Sequence, residues 1–193
     1  LAIGDANGDG LDDLYLCESG GLPNRLFFQN PDSTATDRAS EAGLNFADTT
    51  VSALFVDLDN DADQDLAIGT RAGVVILAND GTGHFEQVSQ ITSAGMAFAL
   101  CAADYDEDGD LDLFAGRYNR NAAESDRAAL PIPYYDANNG ARNFLLRNDG
   151  DFEFTDVTVE TGLDANNSRF TFAAAWEDYD NDGDQDLYLA NDF

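Results

Sequence analysis

The sequence predicts an all-β protein built from blades of four antiparallel strands, on the basis of three observations. An acidic pattern occurs four times, short apolar runs flank every copy, and the copies begin about 50 residues apart, except for one longer interval. Such spacing is typical of propeller blades and other repeat arrays. We expect three complete blades and two strands of a fourth.

The repeated pattern reads DANGDGLDDL, DLDNDADQDL, DYDEDGDLDL and DYDNDGDQDL, in segments that begin at Asp5, Asp57, Asp104 and Asp178 and are called loops 1 to 4. Alternating carboxylates repel one another, at about 4 kcal/mol for a pair ~4 Å apart in a dielectric of ~20. A hard divalent cation turns this repulsion into coordination, and Ca²⁺ accepts six to eight oxygen ligands. Four copies with one internal spacing favour about four Ca²⁺ sites over acidic surface turns that hold no metal.

Positions within a loop are counted from its first Asp. Side chains at positions 1, 3, 5 and 9 are the expected ligands, and position 7 varies in chemistry, so that a backbone carbonyl is expected there. The predicted metal ligands are Asp5, Asn7, Asp9, Leu11 and Asp13; Asp57, Asp59, Asp61, Asp63 and Asp65; Asp104, Asp106, Asp108, Asp110 and Asp112; and Asp178, Asp180, Asp182, Asp184 and Asp186. Closure at position 9 distinguishes these loops from EF-hands, which close with Glu at position 12.

Position 6 of each loop is expected to adopt a tight turn with positive φ, which glycine tolerates best. Gly10, Gly109 and Gly183 occupy this position in three loops, whereas loop 2 has Ala62. We therefore expect loop 2 to depart from the others in geometry or in affinity.

Strands are expected before and after each loop, because LYLC, LAIG, LFAG and LYLA follow the four loops as short apolar runs. A further pair completes each blade: a strand at 23–30, 73–80 or 141–149, then an aromatic strand at 46–48, 84–88 or 152–157. The expected organisation is one repeat domain, 1–193, with blade units at about 1–49, 50–92, 93–162 and 163–193 and a surface-loop insertion at 118–140.

Composition limits the partners. The net charge is −29, and hydrophobic residues make up 44% of the chain, which is enough for a sizeable core. Even four bound Ca²⁺ ions would leave the chain strongly acidic. Nucleic acid is therefore excluded as an expected partner, and so is insertion into a membrane, because no long apolar stretch is present.

An enzyme is not expected. The sequence has no G-x-S-x-G, HExxH or phosphate-loop motif, and its single histidine, His84, lies in a predicted blade turn. The close carboxylate pairs that could suggest a glycosidase are all accounted for by the predicted Ca²⁺ loops.

The loops and blades resemble those of FG-GAP/VCBS repeats, the Ca²⁺-binding blades of integrin α-type propellers. The segment 133–193 further resembles bacterial relatives of cartilage acidic protein, the ASPIC/UnbV-associated proteins. The resemblance implies a secreted or cell-surface Ca²⁺-binding protein, either a segment of a propeller of about seven blades or an open repeating array.

Three functions follow as alternatives from this resemblance and from the incomplete fourth blade. The first is an adhesion or recognition module that binds a protein or glycan ligand. The second is a fibre or surface-layer subunit in which copies of the chain join head to tail. The third is part of a polysaccharide-active enzyme.

Overall fold

The computed structural model describes residues 1–45, 47–92, 96–118 and 130–193, which form fourteen strands and no helix. Three sheets have four antiparallel strands each, and a fourth sheet has two. Blade 1 contains β1 (Ala2–Gly4), β2 (Asp13–Leu16), β3 (Arg25–Gln29) and β4 (Ala35–Asp37); blade 2 contains β5 (Thr50–Val56), β6 (Asp65–Thr70), β7 (Gly73–Asn79) and β8 (Phe85–Ile91); blade 3 contains β9 (Ala97–Ala103), β10 (Asp112–Arg117), β11 (Phe144–Asn148) and β12 (Phe154–Asp156); sheet 4 contains β13 (Thr171–Glu177) and β14 (Asp186–Asn191). The predicted all-β fold of four-stranded blades is confirmed.

Each blade is a simple meander, in which every strand pairs with the next one along the chain. Neighbouring sheets are brought together by their first strands, since β5 contacts both β1 and β9, and β9 contacts β13. The sheets are therefore arranged side by side like propeller blades, and the described array is open.

The core lies between the blades. One cluster, which includes Tyr15, Leu26, Phe55 and Leu66, lies between blades 1 and 2. A second cluster lies between blades 2 and 3 and includes the neighbouring residue Ala67. Because successive side chains of a strand point to opposite faces, β6 supplies both clusters and is buried along its whole length.

The fourth strand of blade 1 differs from its prediction at 46–48. Residues 47 and 48 are not in a strand, Phe46 lies outside the described residues, and β4 at Ala35–Asp37 forms the edge instead. A tight hairpin explains the earlier strand: the Asn30 N–H donates to the Thr34 carbonyl at 2.8 Å, and Asp32 Oδ1 accepts the Thr34 N–H at 3.1 Å.

The segment after β4 was missed in the sequence, although it recurs. ATDRASEAGL at 35–44, which begins with β4, corresponds to FTDVTVETGL at 154–163, which begins with β12, and the second-to-last residue of each is a glycine with φ 79°, Gly43 and Gly162. In blade 1 this segment buries Ala39, Ala42 and Leu44 against the core between blades 1 and 2.

The predicted insertion 118–140 falls between β10 and β11, and its residues 119–129 lie outside the described part. Its described end, 130–140, has no regular strand and exposes Tyr134 and Tyr135. Among the described residues, no helix is long and apolar enough to cross a membrane.

Candidate metal centres

The four acidic loops occupy the same place in the fold, the connection between the first and second strand of each sheet. Position 9 begins the second strand and pairs with the last residue of the first strand in every case. The pairs are Gly4 with Asp13, Val56 with Asp65, Ala103 with Asp112, and Glu177 with Asp186. The repeated sequence therefore corresponds to a repeated structure.

Position 1 organises the loop backbone. In loop 3 the Asp104 carboxylate accepts the N–H of Asp108 at 3.0 Å and of Gly109 at 3.1 Å. Loops 1 and 4 have the same two hydrogen bonds, and loop 2 has the second of them. These bonds curl the chain around the position 1 carboxylate, so that the alternating side chains face a common point.

Position 5 accepts the backbone N–H of position 7 in all four loops, at 2.9 to 3.0 Å. The four residues at position 7 are therefore held by their N–H groups, although their side chains differ. The expectation that their carbonyl oxygens bind the metal stays a prediction.

Two positions in each loop have positive φ, one predicted and one missed. Position 6 has φ between 76° and 102°, as the glycine pattern predicted, and Ala62 adopts the same conformation with φ 76°. Position 4 is also left-handed in every loop, occupied by Gly8, Asn60, Glu107 and Asn181. The sequence contained a signal for position 4, which is glycine or asparagine in three of the four loops, because these residues tolerate the left-handed conformation best.

Position 9 has a second role that the sequence did not indicate. Asp65 is buried, and its two oxygens accept the N–H of Leu58 in the loop and of Asn79 at the end of the third strand, both at 2.9 Å. In the same way, Asp13 accepts the N–H groups of Ala6 and Gln29, and Asp112 accepts those of Tyr105 and Asn148. The position 9 carboxylate thus fastens each loop to the third strand of its own blade.

In the fourth loop the described residues show the same carboxylate with no third strand beside it. Asp186 accepts the N–H of Tyr179 at 3.0 Å and is otherwise exposed, in contrast to the buried Asp13, Asp65 and Asp112. Burial of position 9 is thus a property of the complete blade.

Burial also affects the titration of these carboxyl groups. Loss of water around Asp65 and Asp112 raises the pKa of each to about 6, although two backbone N–H donors act in the opposite direction. The pKa of Asp13 is raised for the same reason. A nearby cation would favour the ionised form of all three.

Three loops bring three carboxylates within metal-binding distance. One oxygen from each member of a group lies within 4.8 Å of the others, in the groups Asp57, Asp59 and Asp61; Asp104, Asp106 and Asp108; and Asp178, Asp180 and Asp186. In loop 1, Asn7 replaces one carboxylate with an amide oxygen, which is also a suitable Ca²⁺ ligand.

Loop 2 provides a direct test of whether a cation fits. Asp57 Oδ1 is buried and has no hydrogen-bond partner among the described residues. In the other three loops this oxygen accepts the N–H of position 5, whereas in loop 2 that N–H, of Asp61, donates to Asp59 at 3.3 Å. A buried oxygen without a partner, on a carboxylate that is grouped with two others, fits a hard cation.

The blades are joined by buried asparagines that sequence reasoning missed. Asn79 Nδ2 donates to the carbonyl of Ala6 in loop 1 at 2.9 Å and to that of Gln64 in loop 2 at 3.0 Å. Asn148 repeats this arrangement one blade later. The sequence shows that an asparagine recurs at the end of this predicted strand. It does not show which carbonyl group in the preceding blade the asparagine binds.

The fold and the loops define a class of protein, a β-propeller-like repeat module of four-stranded blades with acidic turns. Residues 5–68 and 57–115, more than half of the chain, match the FG-GAP-like repeat, and the chain belongs to this family. The closer resemblance to ASPIC/UnbV-associated proteins stays a prediction. FG-GAP repeats are in general non-enzymatic modules. No curated protein matches the chain in sequence.

Proposed function

We propose that the protein is an extracellular Ca²⁺-binding repeat module, in which Ca²⁺ stabilises the blades and the assembled surface recognises a protein or glycan ligand. The single observation that supports Ca²⁺ most strongly is the buried Asp57 Oδ1, which has no hydrogen-bond partner among the described residues and belongs to a carboxylate grouped with those of Asp59 and Asp61. Ca²⁺ suits a flexible, oxygen-only loop better than Mg²⁺, which requires near-ideal octahedral geometry.

Calcium would act on stability in two ways. It neutralises carboxylates that repel one another, and it binds the folded loop without comparable affinity for the unfolded chain. A ligand at 100 times its dissociation constant stabilises the folded state by about 2.7 kcal/mol per site. The resemblance to FG-GAP/VCBS repeats of secreted and cell-surface proteins is the reason for placing the protein outside the cell, where Ca²⁺-binding modules work with dissociation constants of about 10⁻⁴–10⁻³ M.

The test is calorimetric titration of metal-free protein with Ca²⁺, together with thermal melting in Ca²⁺ and in chelator. We expect about four sites and a higher melting temperature in Ca²⁺. Asp104→Asn should remove one site, because it alters the carboxylate that organises loop 3. The control is Glu86→Gln, an exposed carboxylate on β8 outside all four loops, which should retain every site. Identical melts with and without Ca²⁺ would refute the proposal.

The recognition role is supported by exposed aromatic side chains in the described end of the predicted insertion. Tyr135 is 87% exposed and Tyr134 is 72% exposed. Tyrosine combines apolar area with a hydroxyl group, and such residues are common in recognition surfaces. Binding to a glycan array should weaken on Tyr135→Ala. Tyr179→Ala, at an equally exposed tyrosine of loop 4, is the control.

Assembly with other copies is a second candidate, favoured by the open edge of β14. Within the described residues this strand pairs with β13 alone, so its outer backbone groups are free to pair with another strand. Light scattering in Ca²⁺ distinguishes the outcomes: long particles favour assembly, and a species of constant small mass favours the recognition module alone.

A further inference from the structure

Loops 2 and 3 contact each other through one side chain. Asn60 Nδ2 donates to Asp110 Oδ1 at 2.7 Å and lies 3.3 Å from the carbonyl oxygen of Gly109. Asn60 is position 4 of loop 2, and Asp110 is position 7 of loop 3. We propose, on the basis of the proposed Ca²⁺ binding, that Asn60 makes Ca²⁺ binding by these two loops positively cooperative.

On the loop 2 side, Asn60 lies between two expected ligands, Asp59 and Asp61. Its backbone is left-handed, with φ 62°. An ion held by both neighbours fixes the backbone that carries Asn60 and therefore limits where its side chain can reach. Binding in loop 2 is thus transmitted to the position of one amide group.

On the loop 3 side, this amide holds the segment that is expected to supply the backbone ligand at position 7. The Asp110 N–H donates to Asp108 Oδ1 at 2.9 Å, and the Gly109 N–H donates to Asp104 Oδ2 at 3.1 Å. Asn60 binds the same two residues from outside the loop. With Asn60 ordered, positions 6 and 7 of loop 3 are already held before the ion arrives, so less conformational entropy is lost on binding.

A rigid base makes this contact effective. Asn148 Nδ2 donates to the carbonyls of Leu58 in loop 2 and Leu111 in loop 3, at 2.8 and 3.3 Å. The two loops therefore rest on one buried group, and Asn60 joins them a second time at the surface. A shift of one loop is transmitted to the other rather than absorbed between the blades.

Among the residues that the structure describes, position 4 of the other loops forms no such hydrogen bond to a neighbouring loop. Loop 1 has Gly8 at position 4, which has no side chain to reach its neighbour. Loop 4 has Asn181, with the same conformation at φ 59°, but its side chain forms no hydrogen bond to another loop within the described residues. Asn181 is therefore a matched control for Asn60 in residue type, loop position and backbone conformation.

The experiment is a Ca²⁺ titration followed by NMR, in which the Gly109 amide reports on loop 3 and the Gly183 amide on loop 4. Asn60→Gly keeps the left-handed backbone and removes the contact. We expect it to weaken Ca²⁺ binding at loop 3 roughly 5-fold or more, in the range usual for coupled sites. Asn181→Gly should leave loop 3 unchanged. In an Asp57→Asn background, with loop 2 disabled, Asn60→Gly should have little further effect on loop 3.

A charge exchange separates coupling from general damage. Asn60→Asp places a carboxylate against Asp110 and should abolish cooperativity, because the two groups repel each other. Adding Asp110→Asn reverses donor and acceptor, keeps the net charge and should restore cooperativity. Equal loop 3 affinity in the wild type and in Asn60→Gly would overturn the coupling alone. A wild type whose glycine amides do not respond to millimolar Ca²⁺ would overturn the proposed function as well.

Discussion

The side-chain amide of Asn148 donates a hydrogen bond of 2.8 Å to the carbonyl of Leu58, a residue in the preceding blade. Asn148 is fully buried. Its backbone N–H donates to Asp112, the position 9 carboxylate of loop 3. One asparagine thus joins the end of its own strand, its own loop and the loop before it. The metal loops are consequently parts of the packing between blades as well as candidate binding sites.

Removing this amide should destabilise the protein strongly. Asn148→Ala leaves two carbonyls without their donor, and we expect a loss of about 2–4 kcal/mol in the free energy of unfolding. Urea denaturation of metal-free protein measures this loss. The control is Asn30→Ala, at a half-buried asparagine whose side-chain amide donates only to Thr34 and Thr36 in its own turn. A similar, small loss for both variants would contradict the structural role of Asn148.

Replacing Ala62 by glycine should stabilise loop 2. Ala62 has φ 76°, and the left-handed conformation costs an L-amino acid about 1–2 kcal/mol. After the entropy that glycine loses on folding, we expect a gain of about 1 kcal/mol in stability and tighter binding by loop 2. Ala35→Gly, in the exposed strand β4, should change stability in the opposite direction. A loss of stability in both variants would show that Ala62 is not strained.

The segment after β4 can be tested with a pair of glycines. Gly43 and Gly162 share φ 79°, so alanine is strained at both. A Cβ at Gly43 would lie 2.7 Å from the carbonyl oxygen of Phe85 in blade 2, whereas a Cβ at Gly162 has open space around it. Gly43→Ala should therefore lower the melting temperature more than Gly162→Ala. Equal effects would mean that this segment does not support the contact between blades 1 and 2.

The metal-free protein should lose stability as the pH rises through 6. The pKa values of Asp65 and Asp112 are raised to about 6 by burial, so the folded state binds protons more tightly than the unfolded chain, whose Asp pKa is near 3.9. The contribution of these two carboxyl groups to the free energy of unfolding is greatest below pH 4 and is lost as the pH rises to about 7. Thermal melts of metal-free protein between pH 4 and 7.5 measure it.

Repulsion within a chain of net charge −29 also makes the folded protein more stable at acid pH, where carboxylates are protonated. A variant is therefore needed to separate this effect from that of Asp65 and Asp112. Asp65→Asn with Asp112→Asn should flatten the pH dependence between 4 and 7, although it lowers absolute stability by replacing one acceptor oxygen at each site. An unchanged slope would assign the dependence to overall repulsion. In saturating Ca²⁺ the wild-type trend should reverse, because protons then compete with the ion.

Much of the fold was predictable because its signals are local. Alternating Asp residues define the loops, glycine marks position 6, and short apolar runs define the flanking strands. The fourth strand of blade 1 was misplaced because Ala35–Asp37 has little apolar character, and its position depends on a hairpin turn at Asn30–Thr34. The recurrence of ATDRASEAGL (35–44) as FTDVTVETGL (154–163) would have placed this strand correctly, because both segments begin with the fourth strand of a blade.

Long-range partners were not predictable from a single chain. The sequence indicates that Asn79 and Asn148 recur, but not that their amides reach back to Ala6 and Leu58. The sequence places Asp65 among the ligands. The burial of Asp65 depends on the position of β7, whose last residue donates its N–H to the Asp65 carboxylate. The contact of Asn60 with Asp110 likewise depends on the angle between two blades, which no local pattern specifies.

The direction of the asparagine bonds has a consequence for synthesis. Asn79 and Asn148 both reach towards the N-terminus, to a loop that has already been made when they emerge. Each new blade can therefore dock on a finished one as the chain is extended, without reopening earlier blades. Duplication of a repeat at the C-terminal side would preserve this order, so an array of this kind can lengthen by simple addition while every existing junction stays intact.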